Sequence, residues 1–266
     1  MQYNNSMIYI ICALEIEARA IIEHFRLKKS SQFAFVTYKN DEIVVAISGI
    51  GRDNAIIATS AICGFYAPKP SDIIINIGIC GGGDEVGRAF LIHKIIDRDR
   101  DYYPDILFSH ALVESSIECV GSSIESPQNH LVDMESGGVF VAASRFFKLH
   151  QIAFIKIISD NFNPQGVTKE LVDNLMRQNL VPVLETIESL KNSTIKNQIF
   201  SDDEQHSIDR VLGFFSVTEQ NRLKNSIYFY RFRDSARELY LDIDEPKNKR
   251  ERRELYEKLI SKFEAI

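Results

Sequence analysis

The chain contains no tryptophan and only four cysteines, which are spread widely along its 266 residues. Cys12, Cys63, Cys80 and Cys119 form no Cys-x-x-Cys pair, and no two histidines have the spacing of paired zinc ligands. The sequence therefore predicts neither a disulfide framework nor a metal site, and we expect a reducing compartment.

Long hydrophobic runs are also missing near the start of the chain. The apolar stretch at residues 7–14 is stopped by Glu15, and the residues before it carry no basic charge. Such a stretch is too short for a signal sequence or for a membrane span. We therefore expect a cytoplasmic protein without a membrane partner.

Positive charge is not in excess, because the formal net charge is -6. This balance argues against a protein that coats nucleic acid or anionic membrane over its whole surface. The sequence contains no internal repeat and no low-complexity tract. A small molecule is therefore the expected partner.

The clearest structural signal is the segment 72–83, Asp-Ile-Ile-Ile-Asn-Ile-Gly-Ile-Cys-Gly-Gly-Gly. The segment is too apolar for a half-exposed strand and too short for a helix, so we predict a mid-sheet strand covered on both faces. Glycines at its C-terminal end would let a ligand approach the backbone, at the edge where open α/β sheets bind ligands. On these residues alone, a loose glycine turn is an equal alternative.

Strand and helix patterns alternate on both sides of this segment, which predicts an α/β fold. The run of alternating charges at 97–101 is interpreted as a solvated loop. The predicted strands are 7–13, 33–39, 42–48, 90–96 and 154–158. The predicted helices are 15–25, 52 to about 65, an apolar helix ending near 149, and a long helix at 168–190.

The composition changes near residue 195, where charge density rises and strand patterns disappear. We therefore predict a domain of residues 1–195 and a helical extension of residues 196–266, with helical patterns at 216–241 and 245–263. Basic residues among aromatic residues in this extension could bind single-stranded nucleic acid. Acidic residues are nearly as numerous, so helices that pack on the main domain or on a partner are favoured, and nucleic acid is not expected.

Several acidic residues lie at the ends of predicted helices and strands, where their charge calls for a structural or functional explanation. Glu15 and Glu17 begin the first predicted helix, where helix-terminus electrostatics would account for them. Glu135 enters an apolar helix beside Met134, and an acid there is costly unless it faces solvent or binds something. Asp160 follows Ser159 at the carboxyl end of the last predicted strand.

The order and spacing of several segments resemble the purine/uridine phosphorylase superfamily, and most of all its methylthioadenosine/S-adenosylhomocysteine nucleosidases. The resemblance covers roughly residues 7–190 and depends on the segments 13–18, 48–51, 76–82, 133–135 and 158–160. It implies a three-layer α/β/α nucleoside phosphorylase-like fold with a mixed central sheet. It also implies a nucleoside substrate, no cofactor, and a homo-oligomer that is a dimer or larger.

The resemblance implies a role for each acid. Asp160 matches the acid that meets the purine N7, Glu135 matches the glutamate that holds the ribose hydroxyls, and Met134 matches the methionine that packs on the sugar. Glu17 stands where the phosphorylase branch has a Gly-Asp-Pro-x-Arg type pattern, whose arginine binds phosphate. A carboxylate there repels phosphate and can take a proton from water, so hydrolysis is favoured.

Two positions depart from the usual nucleosidase pattern. Ile79 stands where serine is usual and Lys156 where arginine is usual, and in the family both positions help to hold the attacking water. Lys156 keeps a charge without the planar fork of arginine, and the Ile79 side chain offers no hydrogen bond. Gly78 and Ser159 complete the substrate-binding residues that the resemblance implies.

The leading hypothesis is therefore a nucleosidase that acts on adenosine-type or 5′-modified nucleosides, with Asp160 and Glu17 as its catalytic residues. One alternative is a phosphorylase that binds phosphate through Lys156, Arg52 or an arginine of a neighbouring subunit. Another is a nucleoside-binding protein with little or no turnover, whose C-terminal helices engage a partner. The sequence leaves the 5′ substituent open.

Overall fold

The computed structural model describes residues 6–196, 199–233 and 239–264. The chain divides into two compact units, Met1–Lys196 and Asn197–Ile266. Within the described ranges, no helix is both long enough and apolar enough to cross a membrane.

The first unit alternates strands and helices, as the sequence predicts. Its strands are β1 (Ile8–Cys12), β2 (Lys28–Ser30), β3 (Thr37–Lys39), β4 (Ile43–Ile47), β5 (Ile73–Gly81), β6 (Ala89–Asp97), β7 (Arg100–Tyr102), β8 (Val113–Cys119), β9 (Leu131–Asp133) and β10 (Ile152–Asp160). Its helices are α1 (Glu15–His24), α2 (Arg52–Tyr66), α3 (Ser136–Ala143), α4 (Lys169–Gln178) and α5 (Leu180–Lys196).

The apolar segment at the centre of the sequence is the mid-sheet strand that its composition predicts. β5 lies parallel to β1 on one side and parallel to β10 on the other. Ile73, Ile74 and Ile75 have no exposed surface. Burial on both faces explains the nearly continuous isoleucine run, since a half-exposed strand would alternate apolar and polar residues.

Five of the strands close into a ring. β10 pairs with β5 and β6, β6 also pairs with β8, β8 with β9, and β9 with β5. The pairings include both parallel and antiparallel ones, so the predicted mixed sheet is confirmed. The ring brings the carboxyl ends of β5 and β10 together, with Gly81 opposite Asp160.

Helices cover both faces of the sheet and give the three layers that the resemblance implies. One apolar cluster packs α1, α4 and α5 on one face and includes Ile21, Val172 and Ile187. A second cluster packs α2 and α3 on the other face and includes Ile62 and Val139. Each such side chain stabilises the fold by about 1.5–3 kcal/mol when it is fully buried.

The prediction of one long helix at 168–190 is wrong. α4 ends at Gln178 and α5 begins at Leu180, with Asn179 between them. Pro182 has no amide proton to continue the helical hydrogen bonds of α4, which accounts for the break. The Asn179 side chain instead donates to the carbonyl oxygens of Gly87 and Leu175.

The interpretation of residues 97–101 as a solvated loop holds for 98–101, which are exposed, and fails for Asp97. These residues form the hairpin turn between β6 and β7, in which Asp97 pairs with Arg100. Asp97 is only 2% exposed, because the Arg52 guanidinium binds its carboxylate. The apolar helix after Glu135 ends at Ala143, earlier than predicted, and the largely polar strands β2 and β8 are additional elements.

The second unit contains the helices α6 (Asp202–Leu212), α7 (Val217–Arg233) and α8 (Lys249–Glu264). They enclose an apolar core of their own, which includes Ile208, Leu223 and Phe263. Several arginines pair with acids, namely Arg222 with Glu264, Arg231 with Glu204, Arg250 with Glu254 and Arg253 with Glu257. Residues 234–238 of the predicted helical segment 216–241 lie outside the described residues.

Candidate active site

A cavity of about 250 Å³ lies at the carboxyl ends of β5 and β10. Its wall contains Glu17, Glu135 and Asp160, which come from three distant parts of the sequence. Met134, Ile79 and Ser159 also line the cavity, so most of the predicted site residues are brought together. The remaining wall residues are mainly apolar and include Leu14, Ile50, Val120, Ile124, Val132, Pro164 and Val167.

Glu17 serves both α1 and the cavity. Its Oε2 accepts a hydrogen bond from the Leu14 amide at 2.8 Å, which caps the helix. Its Oε1 accepts one from the Ile79 amide at 2.9 Å, across the gap to β5. Burial raises the pKa of Glu17, although these amides and the Lys156 ammonium act in the opposite direction. A carboxylate with a raised pKa is a better base near neutral pH.

Gly78, a predicted substrate contact, lies next to the Glu17 carboxylate and is not one of the residues that line the cavity. A Cβ at position 78 would lie 2.8 Å from Glu17 Oε1. The glycine is therefore required for the approach of the Glu17 carboxylate to β5.

Lys156 also lies outside the cavity wall. Its side chain is 1% exposed, and its Nζ is 2.7 Å from Asp133 Oδ2. Burial lowers the pKa of Lys156, but the carboxylates of Asp133, Glu135 and Glu17 outweigh this effect and raise it. The ammonium therefore stays charged and is committed to Asp133.

Asp133 is a wall residue that the sequence analysis did not single out. Besides Lys156, it accepts hydrogen bonds from the Ser136 hydroxyl at 2.6 Å and the Ser136 amide at 3.0 Å. The signal that could have identified it is the same one that marks Glu135, an acid among apolar residues at a helix entrance.

Glu135 is buried directly before α3. Its Oε1 accepts a hydrogen bond from the Gly51 amide at 2.7 Å, and Gly51 has a φ of 101°, which favours glycine. Burial and the nearby carboxylate of Asp133 raise the pKa of Glu135 to about 7, against the effects of Lys156 and the Gly51 amide. Around neutral pH this group can therefore both donate and accept hydrogen bonds.

Asp160 is partly exposed in the cavity wall. Its Oδ2 accepts a hydrogen bond from the Ser159 hydroxyl at 2.8 Å, and its Oδ1 accepts one from the Asn163 amide at 2.7 Å. Ser159 is itself buried, so the carboxyl group is held in one orientation at the end of β10.

The described part of the cavity wall contains no lysine or arginine. The two cations considered for phosphate are bound elsewhere, since Lys156 pairs with Asp133 and Arg52 donates from Nε to both oxygens of Asp97, at 3.1 and 2.9 Å. Across residues 6–196, 199–233 and 239–264, no three His, Cys, Asp or Glu side chains are grouped to hold a metal ion.

The polar loop at 122–129 contributes Ser123 and Ile124 to the wall, which the sequence analysis did not predict. Ile124, an isolated isoleucine in a polar loop, is the one sequence signal that could have indicated that this loop lines the cavity. The apolar residues Val120, Pro164 and Val167 carry no chemical pattern in the sequence, so only the fold identifies them as wall residues.

Comparison with known proteins confirms the resemblance to the phosphorylase superfamily. Residues 7–108 match the model of the family described as "Phosphorylase superfamily". A 5′-methylthioadenosine/S-adenosylhomocysteine nucleosidase of Lysinibacillus sphaericus is 34% identical over 74 residues. This match covers 27% of the chain and 31% of that relative, so it spans about a third of the relative's length.

Solved structures of such nucleosidases share the fold. The enzyme from Streptococcus pneumoniae with a transition-state inhibitor has a TM-score of 0.59 at 17% identity, over 69% of this chain and 99% of that one. The enzyme from Helicobacter pylori with butyl-thio-DADMe-Immucillin-A has a TM-score of 0.57 at 16% identity, over 70% of this chain and 99% of that one. At these identities the likeness establishes the nucleoside phosphorylase-like fold.

Proposed function

We propose that this protein, whose fold and N-terminal sequence are those of the phosphorylase superfamily, is a purine nucleosidase. It would use water to cleave the N-glycosidic bond of adenosine-type or 5′-modified nucleosides. The observation that carries the proposal is the convergence of Glu17, Glu135 and Asp160 on one cavity without a cationic side chain in its described wall.

Glu135 and Met134 would hold the sugar. Glu135 lies in the wall with one oxygen fixed by the Gly51 amide, which leaves its other oxygen for the ribose hydroxyls. Met134, the residue directly before Glu135, also lines the cavity and offers an apolar surface for the sugar ring. Fixing the sugar in this way contributes to the rate through orientation.

Asp160 would assist departure of the base. When the bond from C1′ to N9 breaks, its electron pair passes to the purine, and a proton held between Asp160 and N7 neutralises the leaving group. General acid assistance of this kind contributes about 10²–10⁴-fold.

Glu17 would activate the attacking water. The water oxygen bonds to C1′ of the oxocarbenium-like sugar, and one of its protons passes to the Glu17 carboxylate. The amides of Leu14 and Ile79 bind one Glu17 oxygen each, and the Ala13 backbone makes a further hydrogen bond to the carboxylate. A carboxylate has about four lone-pair sites, so one remains for a water. Ile79 supports this water through its backbone contact with Glu17, since its side chain offers no hydrogen bond.

Phosphorolysis is the alternative that the site disfavours. A phosphate dianion would meet Glu17 in place of a cation, while Lys156 and Arg52 are both bound to other acids. The acidic side chains of the cavity wall would repel phosphate strongly in a partly desolvated site.

The test is release of free base, followed by chromatography, from methylthioadenosine, S-adenosylhomocysteine, 5′-deoxyadenosine, adenosine and inosine, each with and without phosphate. We expect base and free sugar without phosphate. Strict dependence on phosphate, with a sugar 1-phosphate as product, would replace the proposal by a phosphorylase. Binding without release from any of the five would favour the nucleoside-binding alternative.

Further proposals concern the context in which the protein works. We propose a cytoplasmic homo-oligomer, dimeric or larger, in keeping with the resemblance. We also propose that residues 1–195 carry the activity and that residues 196–266 form a separate helical extension. A chain ending at residue 195 should retain base release, and size-exclusion chromatography with light scattering would give its oligomeric state.

A further inference from the structure

A second buried acid lies near Glu135 but outside the cavity wall. Asp97 ends β6 and is 2% exposed, although its sequence neighbours are alternating charges. The Arg52 Nε donates to both Asp97 oxygens, at 3.1 and 2.9 Å. This bifurcated, charge-assisted contact holds the Arg52 Nε against the Asp97 carboxylate.

Arg52 is joined directly to the residue that holds Glu135. It is the first residue of α2, and the preceding Gly51 donates its amide to Glu135 Oε1 at 2.7 Å. Gly51 has a φ of 101°, in the left-handed region that favours glycine. As a glycine, it has no side chain whose packing could fix its backbone. The Gly51 carbonyl oxygen accepts the Ala55 amide at 3.0 Å, so Gly51 moves with the start of α2, where Asp97 binds Arg52.

The start of α3 packs closely against Asp97 and Arg52. A Cβ at Gly137 would lie 2.6 Å from Asp97 Cγ, and a Cβ at Gly138 would lie 2.3 Å from the Arg52 carbonyl oxygen. These two glycines follow Glu135 and Ser136 in the chain. Asp97 and the Arg52 backbone therefore pack against the first turn of α3, directly after Glu135, and the Gly51 amide binds the Glu135 carboxylate.

We propose that Asp97 is a positioning residue for Glu135 and acts through Arg52 and the Gly51 amide. The proposal rests on the proposed function in one respect, because Glu135 is there assigned to the ribose hydroxyls. Asp97 does not touch the substrate. It sets the geometry with which Glu135 discriminates nucleosides that carry these hydroxyls from those that lack them.

A merely structural role for the pair makes a different prediction. If the Arg52 contact only compensates the buried charge of Asp97, its loss lowers the folded fraction and reduces turnover of every substrate alike. If the pair positions Glu135, loss of the contact reduces turnover mainly of those substrates whose hydroxyls Glu135 binds. The ratio between substrates therefore separates the two roles.

The kinetic test uses Asp97→Asn, Arg52→Gln and the double variant, assayed with adenosine or whichever nucleoside the wild type cleaves, and with its 2′-deoxy and 3′-deoxy forms. We expect the preference of kcat/KM for the hydroxyl-bearing substrate to fall by roughly tenfold in each single variant. The double variant should lose no more than either single variant, because both act through one contact.

Asp101→Asn is the matched control. It makes the same change in the same run of charges, at a carboxylate that Lys94 binds at 2.8 Å on the exposed side of the hairpin. The control should keep the wild-type preference. If a single variant does not fold, the double variant carries the test, since it leaves no buried charge without a partner.

Hydrogen exchange of the Gly51 amide gives a readout that needs no turnover. Glu135 accepts this amide, so exchange at Gly51 should rise about tenfold in the two single variants while exchange in β1 stays unchanged. If the wild type cleaves no nucleoside, the proposed function fails and this measurement alone decides the inference. Unchanged Gly51 exchange together with an unchanged substrate ratio would overturn the role of Asp97.

Discussion

The hydrogen bond of 2.9 Å from the Ile79 amide to Glu17 Oε1 joins the first turn of α1 to the carboxyl end of β5. The same Glu17 side chain also caps α1 through the Leu14 amide, so one carboxylate both caps a helix and forms part of the cavity wall. The contact is possible because residue 78 has no side chain.

Gly78→Ala should therefore disable the site more than the fold. The new Cβ would lie 2.8 Å from Glu17 Oε1 and would push the carboxylate away from its amide. We expect base release to fall by about 10²-fold, since small misplacements of reacting groups have effects of that size. The free energy of unfolding should fall by about 1–3 kcal/mol.

Gly64→Ala is the control for this change. Gly64 lies in α2 with open space around the position of a new Cβ. Alanine there should leave base release unchanged and raise helix stability by about 0.5–1 kcal/mol. Equal activity in both variants would argue against the assignment of Glu17.

Asp160→Asn should abolish most base release and leave the fold intact. The amide oxygen of asparagine can still accept from the Asn163 backbone, but the group cannot share an acidic proton with the base. Turnover measured by chromatography should drop by about 10²–10⁴-fold. The same change at the exposed Asp203 in α6 should have no effect, and unchanged turnover in Asp160→Asn would remove this residue from the mechanism.

Lys156→Met should destabilise the first unit by about 3–5 kcal/mol, because it leaves Asp133 buried and uncompensated. Adding Asp133→Asn should recover part of this loss, since the remaining group carries no charge. Denaturant unfolding of the single and double variants measures both effects. Lys94→Met, which breaks the more exposed pair with Asp101, should cost no more than about 1 kcal/mol.

Glu135→Gln should alter how stability depends on pH. Its pKa is raised from 4.5 to about 7 in the folded chain, so between these values the folded chain holds a proton that the unfolded chain has lost. The free energy of unfolding of the wild type should therefore fall, relative to Glu135→Gln, as pH rises from 4.5 to 7 and level off above 7.

Denaturant titrations across this range, with the exposed Glu254→Gln as control, measure the difference. A constant offset between wild type and Glu135→Gln at every pH would contradict the raised pKa. Because the Glu135 side chain lies beside Asp133 and Lys156, changes at those positions should shift the window as well.

The fold could be predicted wherever local pattern and burial agree. The isoleucines of β5 identify a strand covered on both faces, and the stripe of α1 identifies an amphipathic helix. The break at Asn179 has a local cause in Pro182, which the continuous apolar pattern of the two helices concealed. The buried Asp97 could not be predicted, because its ion pair depends on a distant residue. Arg52, which neutralises Asp97, is remote in the sequence from the run of charges it alters.

The acids of the candidate site could be identified because charged residues at the ends of apolar segments are costly without a purpose. Their convergence, by contrast, follows from the pairing of β5 with β1, β9 and β10. Lys156 and Gly78 show that a match to a family position does not by itself predict what a side chain contacts. Both lie next to the site, yet one serves Asp133 and the other makes room for Glu17.

The ring of five strands has a consequence for the order in which the protein can form. β5 and β10 pair in register from Ile74 and Ile152 onward, so the loop between them must close before their contacts stabilise anything. Such non-local pairing is slow compared with the formation of local helices. During synthesis Glu17 leaves the ribosome long before Asp160, and the cavity exists only after the second half of the domain has joined the first.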